Sequence, residues 1–296
     1  MIRAERIHNP LIGTMPELEI IQNTMPSWWL PIWAFTFATC LGSFTNVLIV
    51  RMPQGQSIVL PRSACPKCQH RLNWWENIPL LSYLCLRRRC SKCEVFISPR
   101  YFYIELIAGC FGTLMALKYG LQLETILWLL AIPPLLAIAV IDFQHFWIPD
   151  QLLLPLLLLG GLNTIAAPSF SLYNLPLILA PAGLVWGIAK LYSILRKKEG
   201  LGFGDIKLLI IMGLWLGPIG CLHALTLASL QGLIASLLLM SLRPNFFQRE
   251  PEKSVFEDEW TPPTSAIPFG PFLILGLVEI GLFGERVIES MIHWLN

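Results

Sequence analysis

Apolar residues run through this chain in long blocks rather than alternating with polar ones. The first block is Trp28–Val50. Others follow at about 101–117, 125–141, 152–167, 175–195, 206–219, 222–242 and 269–287. A bilayer is crossed by a helix of about 17–25 mainly apolar residues, and several blocks sit at the short end of that range. The pattern predicts an all-α polytopic membrane protein with about eight transmembrane helices. Trp28, Trp29 and Trp33, near the start of the first block, suit a membrane–water interface. Pro133, Pro134, Pro155 and Pro181 lie inside blocks and predict kinks.

The polar stretches divide the chain further. Residues 1–27 read as an irregular N-terminal tail, 28–50 as the first span, 51–100 as a small extramembrane domain and 101–296 as a seven-helix membrane core. The tail lacks the short apolar core and small-residue cleavage site of a secretory signal, so the first span is expected to serve as the targeting signal. Residues 51–100 hold nine Lys and Arg, several prolines and no run long enough to cross a bilayer. Residues 243–266 form a polar loop. If 51–100 is cytoplasmic, alternation puts 142–151, 196–205 and 243–268 on the same side. Counting through Lys207, all of the 21 Lys and Arg then lie on that side except Arg3, Arg6, Lys118, Lys190 and Arg286. Positive charge marks the cytoplasmic side, so both chain ends are expected to face away from the cytoplasm.

Composition agrees with the pattern. Of the 296 residues, 55% are hydrophobic and 14% charged, and the mean hydropathy is +0.61. A soluble domain carries about 25% charged residues, so a soluble enzyme is excluded. The net charge of +2 gives no footing for nucleic acid. No internal repeat is evident, and nothing in the sequence sets an oligomeric state.

Two acids stand where the chain passes between water and lipid. Asp142 ends the third block, in Ile141-Asp142-Phe143, and Asp205 opens the sixth, in Gly202-Phe203-Gly204-Asp205-Ile206-Lys207. A carboxylate in hydrocarbon is costly and marks a functional site by default. Gly202 and Gly204 are expected to let the backbone turn tightly or approach another backbone. The topology puts both acids at one membrane boundary. Two neighbouring carboxyl groups share a proton, so one can act as base on a water while the other acts as acid, with no metal. The plainer reading is two independent helix-end acids. Asp150, after Pro149, reads as an acid at a helix start. Glu105, Lys207 and Glu279 also fall in or at apolar blocks. Each reads equally as lining a polar interior or as a snorkelling or helix-end group.

Of the eight cysteines, four form Cys65-Pro66-Lys67-Cys68 and Cys90-Ser91-Lys92-Cys93, separated by 21 residues. This is the spacing of a two-knuckle zinc site with four cysteine ligands, slightly long. A domain of about 50 residues has too little core to stand alone, which favours a metal. Disulfides are the alternative, disfavoured in a reducing cytoplasm. Four thiolates leave no open position, so the zinc is expected to be structural. His70 and Cys85 read as bystanders.

The residues resemble those of the prepilin peptidases, also called type IV leader peptidases. The likeness runs from Gly42-Ser43-Phe44-x-Asn46-Val47 and Arg51-x-Pro53 through the paired C-x-x-C. It continues through Trp74-Trp75-Glu76-Asn77-Ile78-Pro79, Ser98-Pro99-Arg100-Tyr101 and Glu105-Leu106. It closes with Asp142…Pro149-Asp150, Gly202-Phe203-Gly204-Asp205-x-Lys207 and Pro268-Phe269-Gly270-Pro271. The resemblance implies a Gly-x-Gly-Asp aspartyl protease of the bacterial inner membrane. It would cut the basic leader from type IV prepilins or type II secretion pseudopilins after a glycine, on the cytoplasmic side. It would then N-methylate the new terminus with S-adenosylmethionine. The family's catalytic acids fall on Asp142 and Asp205, with Gly202, Gly204 and Lys207 in the supporting loop, and Asp150 falls on a non-catalytic position. Two other readings remain: a peptidase without methyl transfer, against which the full 51–100 domain argues, and a transporter or channel, which would need charges through mid-bilayer.

Overall fold

The computed structural model describes residues 24–167, 171–197, 202–242 and 267–295, with side chains described as far as Gly284. Most of the N-terminal tail and the polar loop 243–266 lie outside the described residues. The described residues form helices and no strand, with only two isolated β-bridges. The helices are α1 Trp29–Arg51, a five-residue α2 Leu81–Cys85, α3 Pro99–Tyr119, α4 Leu123–His145, α5 Asp150–Ala166, α6 Leu175–Arg196, α7 Phe203–Leu242 and α8 Gly270–Leu295.

Five of them are long and apolar enough to cross a membrane, and α5 and the described part of α8 are shorter apolar helices. At 40 residues α7 would be about 60 Å long if straight. It is not straight. Gly217 takes φ 70°, ψ 178°, a left-handed conformation that glycine adopts freely, and Pro218 follows it. The Cys221 Sγ then lies 3.6 Å from the Leu209 carbonyl, twelve residues back. Along a straight helix that separation would be about 18 Å. The chain therefore doubles back, and 203–216 and 218–242 are two antiparallel arms. They match the two blocks read at 206–219 and 222–242, with the break slightly earlier. The expected kinks are less evident: α4, α5 and α6 run on as helices through Pro133–Pro134, Pro155 and Pro181.

The most enclosed helix is α4, with Ile132, Leu135, Ile138 and Ile141 fully buried. It packs against α1, α3, α5 and α8. Small residues let α1 and α3 approach closely: a Cβ on Gly112 would come within 2.5 Å of the Ala38 Cβ. At one end of the bundle Lys118 Nζ and Tyr119 Oη both donate to the Gly281 carbonyl, and Thr164 Oγ1 donates to the Leu214 carbonyl. The opposite end gathers the end of α1, the start of α3, the end of α4 and the starts of α5, α7 and α8. The cysteine domain between α1 and α3 stands at this end too.

Candidate active site and metal centre

Asp142 lies in the last turn of α4 and is buried. The turn closes at Phe146, in left-handed conformation, whose N–H donates to the Asp142 carbonyl. Ile148 and Pro149 then lead into α5. On the far side of the sequence, the first residue of α8 reaches the same carboxyl group: Gly270 N–H donates to Asp142 Oδ2 at 3.0 Å. Asp205 sits in the first turn of α7, its N–H donating to the Gly202 carbonyl.

Ile148 links the two acids' surroundings. A Cβ on Gly204 would lie 3.0 Å from the Ile148 Cβ, and one on Gly270 would lie 3.4 Å from the Ile148 Cδ1. The Asp142 and Asp205 carboxyl groups are within electrostatic reach of each other. One small patch therefore carries both acids, although they are 63 positions apart in sequence. Among the described residues, neither Gly202 nor Gly204 takes a positive φ. The turn that the Asp205 N–H closes on the Gly202 carbonyl needs no left-handed residue, and at 204 the closeness of Ile148 favours glycine. Lys207 donates to Asp150 Oδ1 at 2.6 Å, tying α7 to α5, and its ammonium lies 5.0 Å from the Phe203 ring. Asp150 is an exposed helix-start acid with a cationic partner, a pair worth at most about 1 kcal/mol. Glu279 accepts from Gln231 Nε2 at 2.6 Å, joining α8 to the second arm of α7. The Gly270 amide and the Ile148 spacer were not foreseen as parts of the site.

The cysteine cluster forms from two copies of one small fold. In the first, Cys65 N–H donates to the His70 carbonyl, Gln69 N–H donates to the Cys65 carbonyl, and Ala64 bridges Arg71. In the second, Cys90 N–H donates to the Val95 carbonyl, Glu94 N–H donates to the Cys90 carbonyl, and Arg89 bridges Phe96. Gln69 and Glu94 both take φ 56°. The knuckles are a local repeat that the sequence hides, since little beyond Cys-x-Lys-Cys is shared.

The four sulfurs lie within 4.8 Å of one another. Cys65 and Cys93 sulfurs are 3.7 Å apart, and those of Cys68 and Cys90 3.9 Å. A disulfide would hold them near 2.05 Å. Four sulfurs around zinc at about 2.3 Å would stand ~3.8 Å apart. The donor set fits a tetrahedral zinc. Its electrostatics fit as well. Backbone N–H groups of Cys93 and Lys92 pull the Cys90 thiol down to about 6. The Cys68 thiol goes the other way, to about 11: a backbone hydrogen bond from His70 lowers it, but burial and the other three sulfurs outweigh that. Four thiolates together call for a cation.

Glu76 fastens the knuckles to each other. Its buried carboxylate accepts from Asn73 N–H at 2.7 Å, pairs with His70 Nε2 at 3.1 Å and accepts from Ser91 Oγ. His70 follows one knuckle and Ser91 lies inside the other, so His70 is no bystander. Burial acts to raise the Glu76 carboxyl, but these hydrogen bonds outweigh it and hold the group below the usual range. Glu76→Ala is expected to weaken zinc retention against a chelator by about tenfold or more, the usual effect of losing a group that orients ligands. A colorimetric zinc-release assay measures this. Unchanged release would mean that the knuckles hold their geometry alone.

The comparisons with known proteins bear on both sites. The profile of the bacterial peptidase A24 N-terminal domain matches residues 36–119, which contain the cysteine domain. That of the type IV leader peptidase family matches residues 129–237, which contain both acids. A prepilin leader peptidase/N-methyltransferase of Myxococcus xanthus is 31% identical over 90% of this chain and 96% of its own length. The chain belongs to the type IV leader peptidase family. Among other relatives with the same name, that of Stutzerimonas stutzeri is 32% identical over 88% of this chain and 93% of its own. That of Aeromonas hydrophila is 35% identical over 86% and 90%. No solved structure matches the chain. In this leader peptidase family member the two profiles meet at one end of the helix bundle, where the cysteine domain and the acids both lie.

Proposed function

We propose that this protein removes the basic leader from type IV prepilins or type II secretion pseudopilins, and then methylates the amine so exposed. The observation that carries the reading is the convergence of Asp142 and Asp205 on one patch, with Asp142 held by the Gly270 amide. One carboxylate takes a proton from water as it attacks the scissile carbonyl. The other carboxyl group gives its proton first to the carbonyl oxygen, and the leaving nitrogen is protonated as the tetrahedral intermediate collapses. Gly202, Gly204 and Lys207 shape the loop that delivers Asp205. The Lys and Arg bias supports a cytoplasmic site end, and the bacterial relatives support an inner-membrane location. Residues 51–100 then form the cytoplasmic zinc domain, and 101–296 the peptidase core.

Cys65, Cys68, Cys90 and Cys93 would hold the zinc, which supplies cross-linking rather than catalysis because no coordination position is left open. S-adenosylmethionine supplies an electrophilic methyl group on a cationic sulfur. Support for such a site comes from the groups where the zinc domain meets α1 and α3. The Glu105 carboxylate is buried there, Tyr83 stacks on Phe102 at 5.3 Å, and the buried Asn46 Oδ1 and Tyr83 Oη have no hydrogen-bond partner among the described residues.

The test is incubation of the purified protein in detergent with a prepilin and isotope-labelled methyl donor, read by mass spectrometry. Loss of the leader and gain of one labelled methyl group are expected. An intact prepilin beside folded, zinc-loaded protein would remove the peptidase reading. One zinc per chain is expected by elemental analysis, and Cys65→Ser or Cys93→Ser should lose it. These variants should lose methylation more than cleavage, since the acids lie on other helices. Four free thiols and no metal in the purified protein would end the zinc assignment.

A further inference from the structure

Leu80 belongs to the zinc domain by sequence, yet its N–H donates to Glu105 Oε2 at 2.8 Å. Glu105 lies six residues beyond Pro99, so about 9 Å along α3 from its start. Tyr103 and Ile107 bracket it on that helix and are 58% and 52% exposed. On a helix apolar enough to cross a membrane, two side chains so exposed would face lipid. One turn nearer the helix start, the Tyr83 ring stacks on Phe102. The segment from Ile78 to Cys85 therefore lies beside the first two turns of α3 rather than beyond its end.

This segment has two faces. Tyr83 is buried against α3, whereas Leu81, Leu84 and Cys85 are exposed, at helical spacings of three and four. Leu81 and Leu84 are 60% and 59% exposed. Arg87 and Arg88 follow at once. Both take a left-handed backbone, with φ 49° and 63°, and Arg88 N–H closes the turn on the Tyr83 carbonyl. Both are exposed, and among the described residues neither has an acidic partner, while Arg89 is engaged by Glu94 and the Phe96 ring. Apolar side chains at the height of lipid-facing residues, with cations directly above, match the order of acyl chain and phosphate in a leaflet.

We propose that residues 78–88 are a wedge set into the lipid leaflet at the site end of the bundle. Leu81, Leu84 and Cys85 lie among acyl chains, and Arg87 and Arg88 lie at the headgroup phosphates. The zinc domain is thus seated in the membrane surface and not merely tethered to it by α1 and α3. This inference needs the spans but not the catalytic assignment.

Cys85 is a natural probe. The unaltered protein, placed in nanodiscs of phosphatidylethanolamine and phosphatidylglycerol, is treated with N-ethylmaleimide or with a sulfonated, water-restricted maleimide. Labelling of each cysteine is followed by peptide mass spectrometry. Cys85 is expected to react at least about tenfold more slowly with the charged reagent once intrinsic reactivities are normalised on a free thiol. Equal normalised rates would put Cys85 in water and overturn the wedge. In a second arm, benzoylphenylalanine replaces Leu84, Ile107 as lipid-facing control, or Lys67 as aqueous control. Irradiation should give phospholipid adducts at 84 and 107 and none at 67. Adducts at 107 alone, or cross-links from 84 to a second copy or to an added prepilin, would overturn it.

Discussion

Asp142→Asn and Asp205→Asn are each expected to lower leader cleavage by at least about a thousandfold, with insertion and metal content unchanged. The size follows from the proposed chemistry: proton transfer by a positioned group contributes about 10²–10⁴-fold, and each acid would both move a proton and orient water or substrate. Asparagine keeps the shape of the Asp142 carboxyl group, including an oxygen for the Gly270 amide, so the loss reports chemistry and not packing. Asp150→Asn is the internal comparison. It removes one exposed ion pair with Lys207 and should leave most of the rate. Cleavage by a purified variant against a prepilin, followed on gels over hours, resolves these differences. Retained cleavage in either the Asp142 or the Asp205 variant takes that acid out of the mechanism. A more severe loss at Asp150 would move the pair by one helix end.

Gly270→Ala is the second large effect, and it involves no ionisable group. A Cβ there would stand 2.5 Å from Asp142 Oδ2, closer than such atoms approach, and a tight 3.2 Å from its Cγ. Either the carboxyl group turns away or the start of α8 retreats. In both cases the hydrogen bond that fixes Asp142 is lost, and a displacement of about 1 Å at a reacting group costs about a hundredfold. Cleavage should fall by that order, with zinc content unchanged. Gly161→Ala serves as the control, because its new methyl group would meet nothing within 4 Å. A full rate in the Gly270 variant would show that Asp142 is positioned by α4 alone. Gly204→Ala should fall between the two, since a Cβ there presses on Ile148 at 3.0 Å, a contact that a small shift can relieve.

The parts of this protein legible in its sequence are those written in local pattern. Apolar blocks mark the spans, because lipid demands continuous apolar length. Cys-x-x-C pairs mark the cysteine cluster that could hold zinc, because one ion needs four thiolates at fixed reach. The acids at 142 and 205 stand out because carboxylates are rare at such depths. What stayed hidden depends on partners far apart in the chain. Nothing at Gly270 announces that its amide serves Asp142, 128 residues earlier, and nothing at Leu80 announces Glu105. Glu76 stood in a recognisable stretch, but its three bonds appear only once both knuckles are folded. The glycines before Asp205 suggested a turn through their usual backbone freedom, whereas at Gly204 what matters is room for Ile148.

The reversal at Gly217 leaves the first arm of α7 only 14 residues long, 203–216. Such an arm rises about 21 Å, against a hydrocarbon layer of about 30 Å. A segment that short draws the two leaflets together around it or leaves one of its ends below the surface. The arm is tied to α5 at both ends, by the Thr164 and Trp215 hydrogen bonds and by Lys207 on Asp150, so the 17-residue α5 shares the shortfall. Thinning at the Asp205 end would let bulk water approach the acids through a dimple in the bilayer, with no pore through the protein required. A peptide bond at the boundary of a substrate's apolar helix would meet that water at the same depth. Hydrolysis at a lipid-embedded surface thus becomes a matter of local membrane thickness.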